Sequence, residues 1–257
     1  MPALQYRVVG VEFGKETPPR SFATLLPPPW RDGYHRIDLL THPDIRQSVP
    51  TVEEQAEYWA RRLGVMTGPV VVLGYCSGAA VASELVSRVG ADTTLVVIDP
   101  AAPAAGDAQE LLVELATGMD EDLLPGDVPD ILDHDPAEAL ALVSDFLRSV
   151  VERCAPDLPP DITDSLTEHQ RAWLSYTLAA GAHGGVLRDE PDHVLLSEDA
   201  GWEYTGRARV HRFPVGDVEL FGFAEATAVI AGLLDGRTRP DGLRRPSASP
   251  IRSTQRR

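Results

Sequence analysis

Residues 69–79 read Pro-Val-Val-Val-Leu-Gly-Tyr-Cys-Ser-Gly-Ala, and this stretch decides the fold. Its apolar first half, Pro69–Leu73, predicts a strand that is buried on both faces. The segment Ala79–Val89 predicts the helix that follows. Cys76 lies between two glycines in the turn, which is the context of the G-x-S-x-G motif with cysteine in place of serine. Such a turn presents one side chain at the edge of a sheet.

Short β-branched runs alternate with amphipathic stretches on both sides of this turn. The alternation predicts an α/β fold with a mostly parallel central sheet flanked by helices. From about residue 101 to 190 the patterns are only helical, and we expect this segment to be a lid inserted into the sheet domain. Besides 69–73, the predicted strands are Tyr6–Phe13, Tyr34–Leu40, Thr94–Ile98, His193–Ser197 and Ala208–Phe213. The predicted helices are Val52–Leu63, Ala79–Val89, Ala108–Ala116, Pro136–Cys154, Asp164–Ala180 and Ala224–Leu234.

Length and charge restrict the class of protein. A chain of 257 residues fits one mid-sized domain, which we place at residues 1–236. A net charge of -16 argues against nucleic-acid binding, which needs a basic surface. No apolar run approaches the ~20 residues of a membrane span, and no signal peptide is recognisable, so we expect a cytoplasmic protein. Residues 237–257 carry seven Arg and one Asp without periodicity, which predicts a basic, disordered tail.

The chemistry of the turn follows from its cysteine. A free thiol has a pKa of ~8.5, and a helix N-terminus can lower it, so part of the Cys76 side chain is expected to be thiolate near neutral pH. The backbone N–H of Ser77 would supply one half of an oxyanion hole, and that of Phe13, after the first strand, the other half. The alternative is that Cys76 is a small residue packed into a tight turn. The two cysteines of the chain make neither a disulfide framework nor a zinc site, and no phosphate-binding loop is present, so no metal or nucleotide cofactor is expected.

The motif GYCSGA, together with LLSEDAGWEYTGRARVHRFPVGD at residues 195–217, resembles a known family. It is similar to stand-alone thioesterases of the α/β-hydrolase superfamily, which act on carrier-protein thioesters in nonribosomal peptide and polyketide biosynthesis. The resemblance implies that Asp99 is the catalytic acid and that Trp202 matches a tryptophan before the last strand. It further implies that Cys76 attacks an acyl thioester and forms an acyl-enzyme. The implied partner is an acyl or peptidyl carrier protein that holds the substrate on phosphopantetheine, with no other cofactor.

The sequence departs from this family at the general base. Val218 stands where the family has a histidine, and valine cannot accept a proton. Two histidines remain as candidate bases: His211 in the last predicted strand and His183 on a turn after the lid. Water needs a proton acceptor to attack an acyl-enzyme, whereas a thiol ionises on its own. The combination therefore favours acyl transfer between thiols, or slow release, over fast hydrolysis.

Other interpretations stay open. Glu198 and Asp199 follow the penultimate strand, where other α/β-hydrolases keep their acid, and they compete with Asp99 for that role. The chain could instead be a pseudo-hydrolase that has lost the catalytic triad and acts as a binding protein or a non-hydrolytic catalyst. A third reading is a cysteine-dependent hydrolase of small esters or lactones. The rate at which a thiol reagent alkylates Cys76 distinguishes an activated thiolate, which reacts fast, from an inert thiol.

Overall fold

A six-stranded sheet with the order β2-β1-β3-β4-β5-β6 forms the centre of the computed structural model. The structure describes residues 7–13, 21–90, 92–104, 106–201 and 206–235. Every neighbouring pair of strands in these ranges is parallel, which confirms the α/β class predicted from the alternating pattern. The strands are β1 (Arg7–Glu12), β2 (Tyr34–Asp38), β3 (Val70–Tyr75), β4 (Thr93–Ile98), β5 (His193–Leu196) and β6 (Arg209–Arg212).

Helices connect these strands and fill the middle of the chain, where the described residues include no strand, as predicted. Within those ranges none of the helices combines the length and hydropathy that a membrane crossing needs. The helices are α1 (Phe22–Leu25), α2 (Pro28–Arg31), α3 (Val52–Leu63), α4 (Gly78–Val89), α5 (Asp107–Met119), α6 (Pro136–Cys154), α7 (Pro160–His183), α8 (Asp217–Leu220) and α9 (Ala224–Leu234).

The largest differences between the sequence prediction and these bounds concern the shortest helices and α7, and α5 also extends to Met119, beyond the predicted end at Ala116. The prediction lacks α1, α2 and α8, because each has only four residues and one helical turn shows no periodicity. It also starts α7 at Asp164 and ends it at Ala180, whereas the helix runs from Pro160 to His183. Proline suits the first turn of a helix, since its missing N–H would have no partner there.

Burial explains why the strands form where they do. β3 and β4 are buried almost throughout, as expected for central strands covered on both faces. The register pairs Tyr75 with Ile98 at the carboxyl ends of these strands. Cys76 and Asp99 are the next residues of the two strands. The sheet therefore places them side by side at its carboxyl edge, where ligands bind in open α/β sheets.

The chain divides into two compact units. The first comprises residues 1–39, 53–102 and 185–257 and contains the sheet. The second comprises residues 40–52 and 103–184, and its helices share an apolar core that includes Leu112, Val143 and Leu174. The predicted boundaries at 1–236 and the lid function of about 101–190 stay predictions. The predicted tail at 237–257 lies outside the described residues.

The chain leaves the sheet unit and returns to it at one point. Gly185 has a φ of 63°, and a Cβ built on it would collide with Ala102. Both conditions exclude other residues, because side chains disfavour this left-handed backbone and there is no room for them. The segment between residues 103 and 184 therefore begins and ends at adjacent positions.

Candidate active site

Cys76 lies in a strained turn between β3 and α4. Its φ of 51° is in the left-handed region, which a residue other than glycine adopts only when its surroundings enforce it. The backbone N–H of Cys76 donates to the Ile98 carbonyl oxygen at 3.0 Å, and the Ala79 N–H donates to the Cys76 carbonyl oxygen at 3.1 Å. The side chain is a thiol of intermediate exposure that forms no disulfide with any residue that the structure describes. The predicted strand–turn–helix is thus confirmed, and the thiol is not fully buried in it.

Gly74 makes this turn possible. A Cβ at this position would lie 2.6 Å from Ala82 Cβ and 2.8 Å from Ala79 Cα, so a larger residue would push α4 away from β3. At Gly78, the first residue of α4, an added Cβ would make only ordinary contacts. Close helix–strand packing at Gly74 therefore fixes the position of Cys76 relative to the helix.

The N-terminus of α4 begins directly after Cys76. Ser77 is the N-cap residue and is buried. The first N–H groups of a helix have no partner within the helix, and the aligned peptide dipoles give this end a partial positive charge. Both effects favour a thiolate at Cys76 and an oxyanion next to it. The oxyanion role predicted for the Ser77 N–H fits this position and stays a prediction.

Phe13 follows β1 and lies beside the same turn. A Cβ added at Gly78 would be 3.4 Å from Phe13 Cζ and 3.4 Å from Val11 Cγ1, so both side chains contact the start of α4. The structure thus brings together three of the residues predicted from sequence: Cys76, Ser77 and Phe13. Gly14, which follows Phe13, lies outside the described residues.

A buried carboxylate that the sequence reasoning missed precedes Phe13. Glu12 is only 2% exposed. Its Oε1 accepts from the Phe22 backbone N–H at 2.6 Å, and its Oε2 accepts from Arg36 Nε at 2.6 Å. The hydroxyl groups of Tyr34 and Ser21 also donate to this carboxylate. Burial and then the negative charge of Glu12 raise the pKa of Tyr34 far above its usual value, so its phenol stays protonated as a donor.

Asp99 occupies the corresponding position at the end of β4. Its φ of 40° is left-handed, like that of Cys76. Since neighbouring strands are about 5 Å apart, the backbones of Asp99 and Cys76 are adjacent. The Ser197 N–H donates to Asp99 Oδ1 at 2.7 Å. The other carboxylate oxygen, Oδ2, is buried and accepts no hydrogen bond from any residue that the structure describes.

Burial raises the pKa of Asp99, and the negative charges of Asp217 and Asp199 raise it further, while hydrogen bonds from Ser197 oppose the shift. Glu198 and Asp199, the alternative acids, are both exposed. Of the three acids considered from the sequence, Asp99, Glu198 and Asp199, Asp99 is therefore the one whose carboxylate is held in a protected environment. Its catalytic role stays a prediction.

The expected base position holds an apolar residue in the structure as well. Val218 is the second residue of α8. The residue before it, Asp217, accepts a hydrogen bond from the Tyr75 hydroxyl at 3.2 Å through Oδ2. Because Tyr75 is the last residue of β3, this contact places the start of α8 close to the end of that strand. The position at which the resembling thioesterases have a histidine thus follows a residue that contacts Tyr75, and its valine provides no proton acceptor.

His211 points elsewhere. It lies in β6 and stacks on His193, with ring centroids 5.4 Å apart and His193 Nδ1 3.1 Å from His211 Nε2. In the sheet order β6 is three strands away from β3, so about 14 Å of sheet width separates His211 from the turn at Cys76. Burial lowers the pKa of His193 to about 4 and also lowers that of His211, which keeps both rings neutral. The structure does not bring His211 to Cys76.

The remaining predicted residues fall outside the sheet unit or the described ranges. His183, which the sequence analysis places on a turn, is the last residue of α7 and thus helical, followed by Gly184 with a φ of 67°. It belongs to the helical unit, and its role as a base stays a prediction. Trp202 lies outside the described residues.

Comparisons with known proteins identify the fold. No protein-family model matches the sequence, and no curated protein does either. An α/β-hydrolase family protein from Desulfitobacterium hafniense is similar in structure, with a TM-score of 0.52 and 16% identity over 91% of this chain and 97% of that one. The NocB thioesterase domain, in a covalent complex with a fluorophosphonate nocardicin G analog, gives a TM-score of 0.49, 18% identity and coverages of 90% and 96%. The Vlm2 thioesterase domain bound with a dodecadepsipeptide gives a TM-score of 0.46, 17% identity and coverages of 90% and 92%. The chain has the α/β-hydrolase fold.

Proposed function

We propose that this chain is an acyl-transfer enzyme of the thioesterase type that uses Cys76 as its nucleophile. The observation that carries the proposal is the left-handed backbone of Cys76, which presents a partly exposed thiol at the N-terminus of α4. Strain of this kind persists only where the surrounding structure enforces it, and it is concentrated at functional sites. Gly74 and the packing of α4 on β3 enforce it here.

The proposed first step forms a thioester on the enzyme. Cys76 Sγ attacks the carbonyl carbon of an acyl-pantetheine thioester, and the carbon–sulfur bond to pantetheine breaks. The acyl group stays on Sγ, and pantetheine leaves as a thiol with the proton that Cys76 loses. The N–H groups of Ser77 and Phe13 would stabilise the oxyanion of the tetrahedral intermediate, which exists after Sγ attacks and before pantetheine leaves.

The proposed second step transfers the acyl group to another thiol. At Val218 no imidazole is available to activate water, and Asp99 Oδ2 has no histidine N–H to accept from among the described residues. A thiol acceptor ionises without such help, and exchange between thioesters breaks and forms the same type of bond. Transacylation or slow offloading is therefore favoured over rapid hydrolysis. The proposed partner is an acyl or peptidyl carrier protein in natural-product biosynthesis.

Intact-protein mass spectrometry after mixing with hexanoyl-pantetheine tests the proposal. We expect the wild type to gain the mass of one hexanoyl group and Cys76→Ala to gain none. Cys154→Ala is the matched control, because it removes the other cysteine, which is exposed, and it should label like the wild type. Labelling of Cys76→Ala to the wild-type extent would exclude Cys76 as the nucleophile.

The apolar residue at 218 also favours a second candidate, a binding protein that keeps the fold without turnover. In that case hexanoyl-pantetheine would bind without a change in protein mass. Isothermal titration calorimetry on the same samples distinguishes the two functions, because binding heat without mass gain supports the binding protein. Mass gain that depends on Cys76 supports the enzyme.

A further inference from the structure

We propose that Glu12 is a positioning residue that holds the backbone N–H of Phe13 against the Cys76 turn. This inference rests on the proposed function, since it concerns the oxyanion hole of the same site. Glu12 itself touches neither the thiol nor a substrate in the proposal. It acts through the residue that follows it in the chain.

The carboxylate of Glu12 ties together both ends of the segment after β1. Ser21 and Phe22, which the chain reaches after residues 14–20, donate to it through a side-chain hydroxyl and a backbone N–H. Tyr34 and Arg36 donate from the neighbouring strand β2. One buried side chain thus fixes where β1 ends relative to β2 and to the returning chain.

The register of β1 and β2 shows that this network is built into the sheet. Tyr34 pairs with Val8 and Arg36 pairs with Gly10, so both side chains run along the strand to reach Glu12. A Cβ at Gly10 would collide with the Tyr34 hydroxyl, and it would be 2.6 Å from Phe22 Cδ2. Only glycine leaves the space through which Tyr34 reaches the carboxylate.

Phe13 is held from the other face of the same strand. Side chains alternate along a strand, so Val11 and Phe13 point away from Glu12, and both contact the start of α4 at Gly78. The peptide that links Glu12 to Phe13 is therefore clamped on both faces of the sheet. Such clamping sets the direction of the Phe13 N–H, and a displacement of about 1 Å in a catalytic group can cost about a hundredfold in rate.

Steady-state and labelling kinetics of Glu12→Gln test this role. We expect kcat for transfer from hexanoyl-pantetheine to a thiol acceptor to fall about a hundredfold, with KM changed less than about threefold. The rate at which iodoacetamide alkylates Cys76 should stay within about twofold of the wild type, because alkylation forms no oxyanion. A residue with a merely structural role would change both rates together.

Glu84→Gln is the matched control. Glu84 is 4% exposed and is bound by Arg88 at 2.5 Å and Arg188 at 3.1 Å, so its replacement removes an equally buried, paired carboxylate from α4. We expect this variant to keep kcat within about threefold of the wild type. An unchanged kcat in Glu12→Gln, or equal losses in both variants, would overturn the proposal.

Tyr34→Phe provides a milder variant if Glu12→Gln does not fold. It removes one donor to Glu12 and should lower kcat about fivefold to tenfold, again with unchanged alkylation. Wild-type kcat in Tyr34→Phe together with an unfolded Glu12→Gln would show that the cluster serves stability alone, which overturns the proposal. If the wild type forms no acyl-enzyme, the proposed function fails instead, so the two failures differ.

Discussion

The two cysteines of this chain occupy opposite ends of helices. Cys76 precedes the N-terminus of α4, whereas Cys154 is the last residue of α6 and is exposed. The partial charge is positive at a helix N-terminus and negative at a C-terminus, so the two fields act on a thiolate with opposite sign. Partial desolvation, followed by the charge of Asp120, raises the pKa of Cys154. The comparison teaches that the position of a thiol in the fold, and not its presence, determines whether it can act as a nucleophile.

The largest expected difference is in the free energy of unfolding when a glycine near each cysteine is replaced by alanine. Gly74→Ala should lower the free energy of unfolding by about 3 kcal/mol, because its Cβ would press on the backbone of Ala79. Gly118→Ala, near the end of α5, should raise it by about 0.5 kcal/mol, because a Cβ there meets nothing within 4 Å and alanine favours a helix. Urea denaturation of both variants measures the difference. Equal stabilities would mean that the Cys76 turn is not packed as tightly as described.

A histidine in place of Val218 should make the acyl group on Cys76 easier to hydrolyse. Val218→His places an imidazole at the start of α8, near Tyr75, and should speed hydrolysis of the Cys76 acyl-enzyme about 30-fold, below the hundredfold that a well-placed base can provide. The decay of the hexanoyl mass label measures this rate. Val218→Asn is polar but accepts no proton at neutral pH, so it should decay like the wild type. Equal decay of all three proteins would place residue 218 out of reach of the acyl group.

The alkylation rates of the two thiols should differ by less than the change of about 30-fold expected for hydrolysis. At pH 7 iodoacetamide should modify Cys76 about ten times faster than Cys154, because the N-terminus of α4 favours a thiolate at Cys76 and the surroundings of Cys154 disfavour one. The raised pKa of Cys154 means that its thiolate accumulates only at higher pH, so its rate should keep increasing into the alkaline range. Peptide mass spectrometry after timed quenching follows both sites. Faster labelling of Cys154 at pH 7 would reverse the comparison.

The sequence predicts the sheet well and the short helices poorly, for physical reasons. β3 and β4 are continuous apolar runs whose burial does not depend on which partner strand covers them, so their bounds are within two residues of the prediction. A four-residue helix such as α8 carries no periodic signal. Its position depends on tertiary contacts such as the one between Tyr75 and Asp217.

The candidate site shows the same division. Cys76 is predictable because the turn that presents it is coded locally by flanking glycines. Glu12 is not, because its donors come from distant positions that meet only through the register of β1 and β2. A signal was available: a carboxylate ends an otherwise apolar strand, and Tyr34 and Arg36 lie on one face of the next. His211 is the opposite case: its role as a base stays a prediction, and its direction in β6 depends on its stacking with His193, which no sequence pattern shows.

The close approach of Gly185 to Ala102 affects how the sequence of residues 103–184 can change in evolution. Because residues 103–184 depart from and rejoin the sheet unit at touching positions, that segment can be lengthened, shortened or exchanged without moving the strands that hold Cys76 and Asp99. A single exchange at this junction therefore replaces most of the helical unit, all except its residues 40–52. The carboxyl edge of the sheet and the helices of residues 103–184 are free to diversify at different rates.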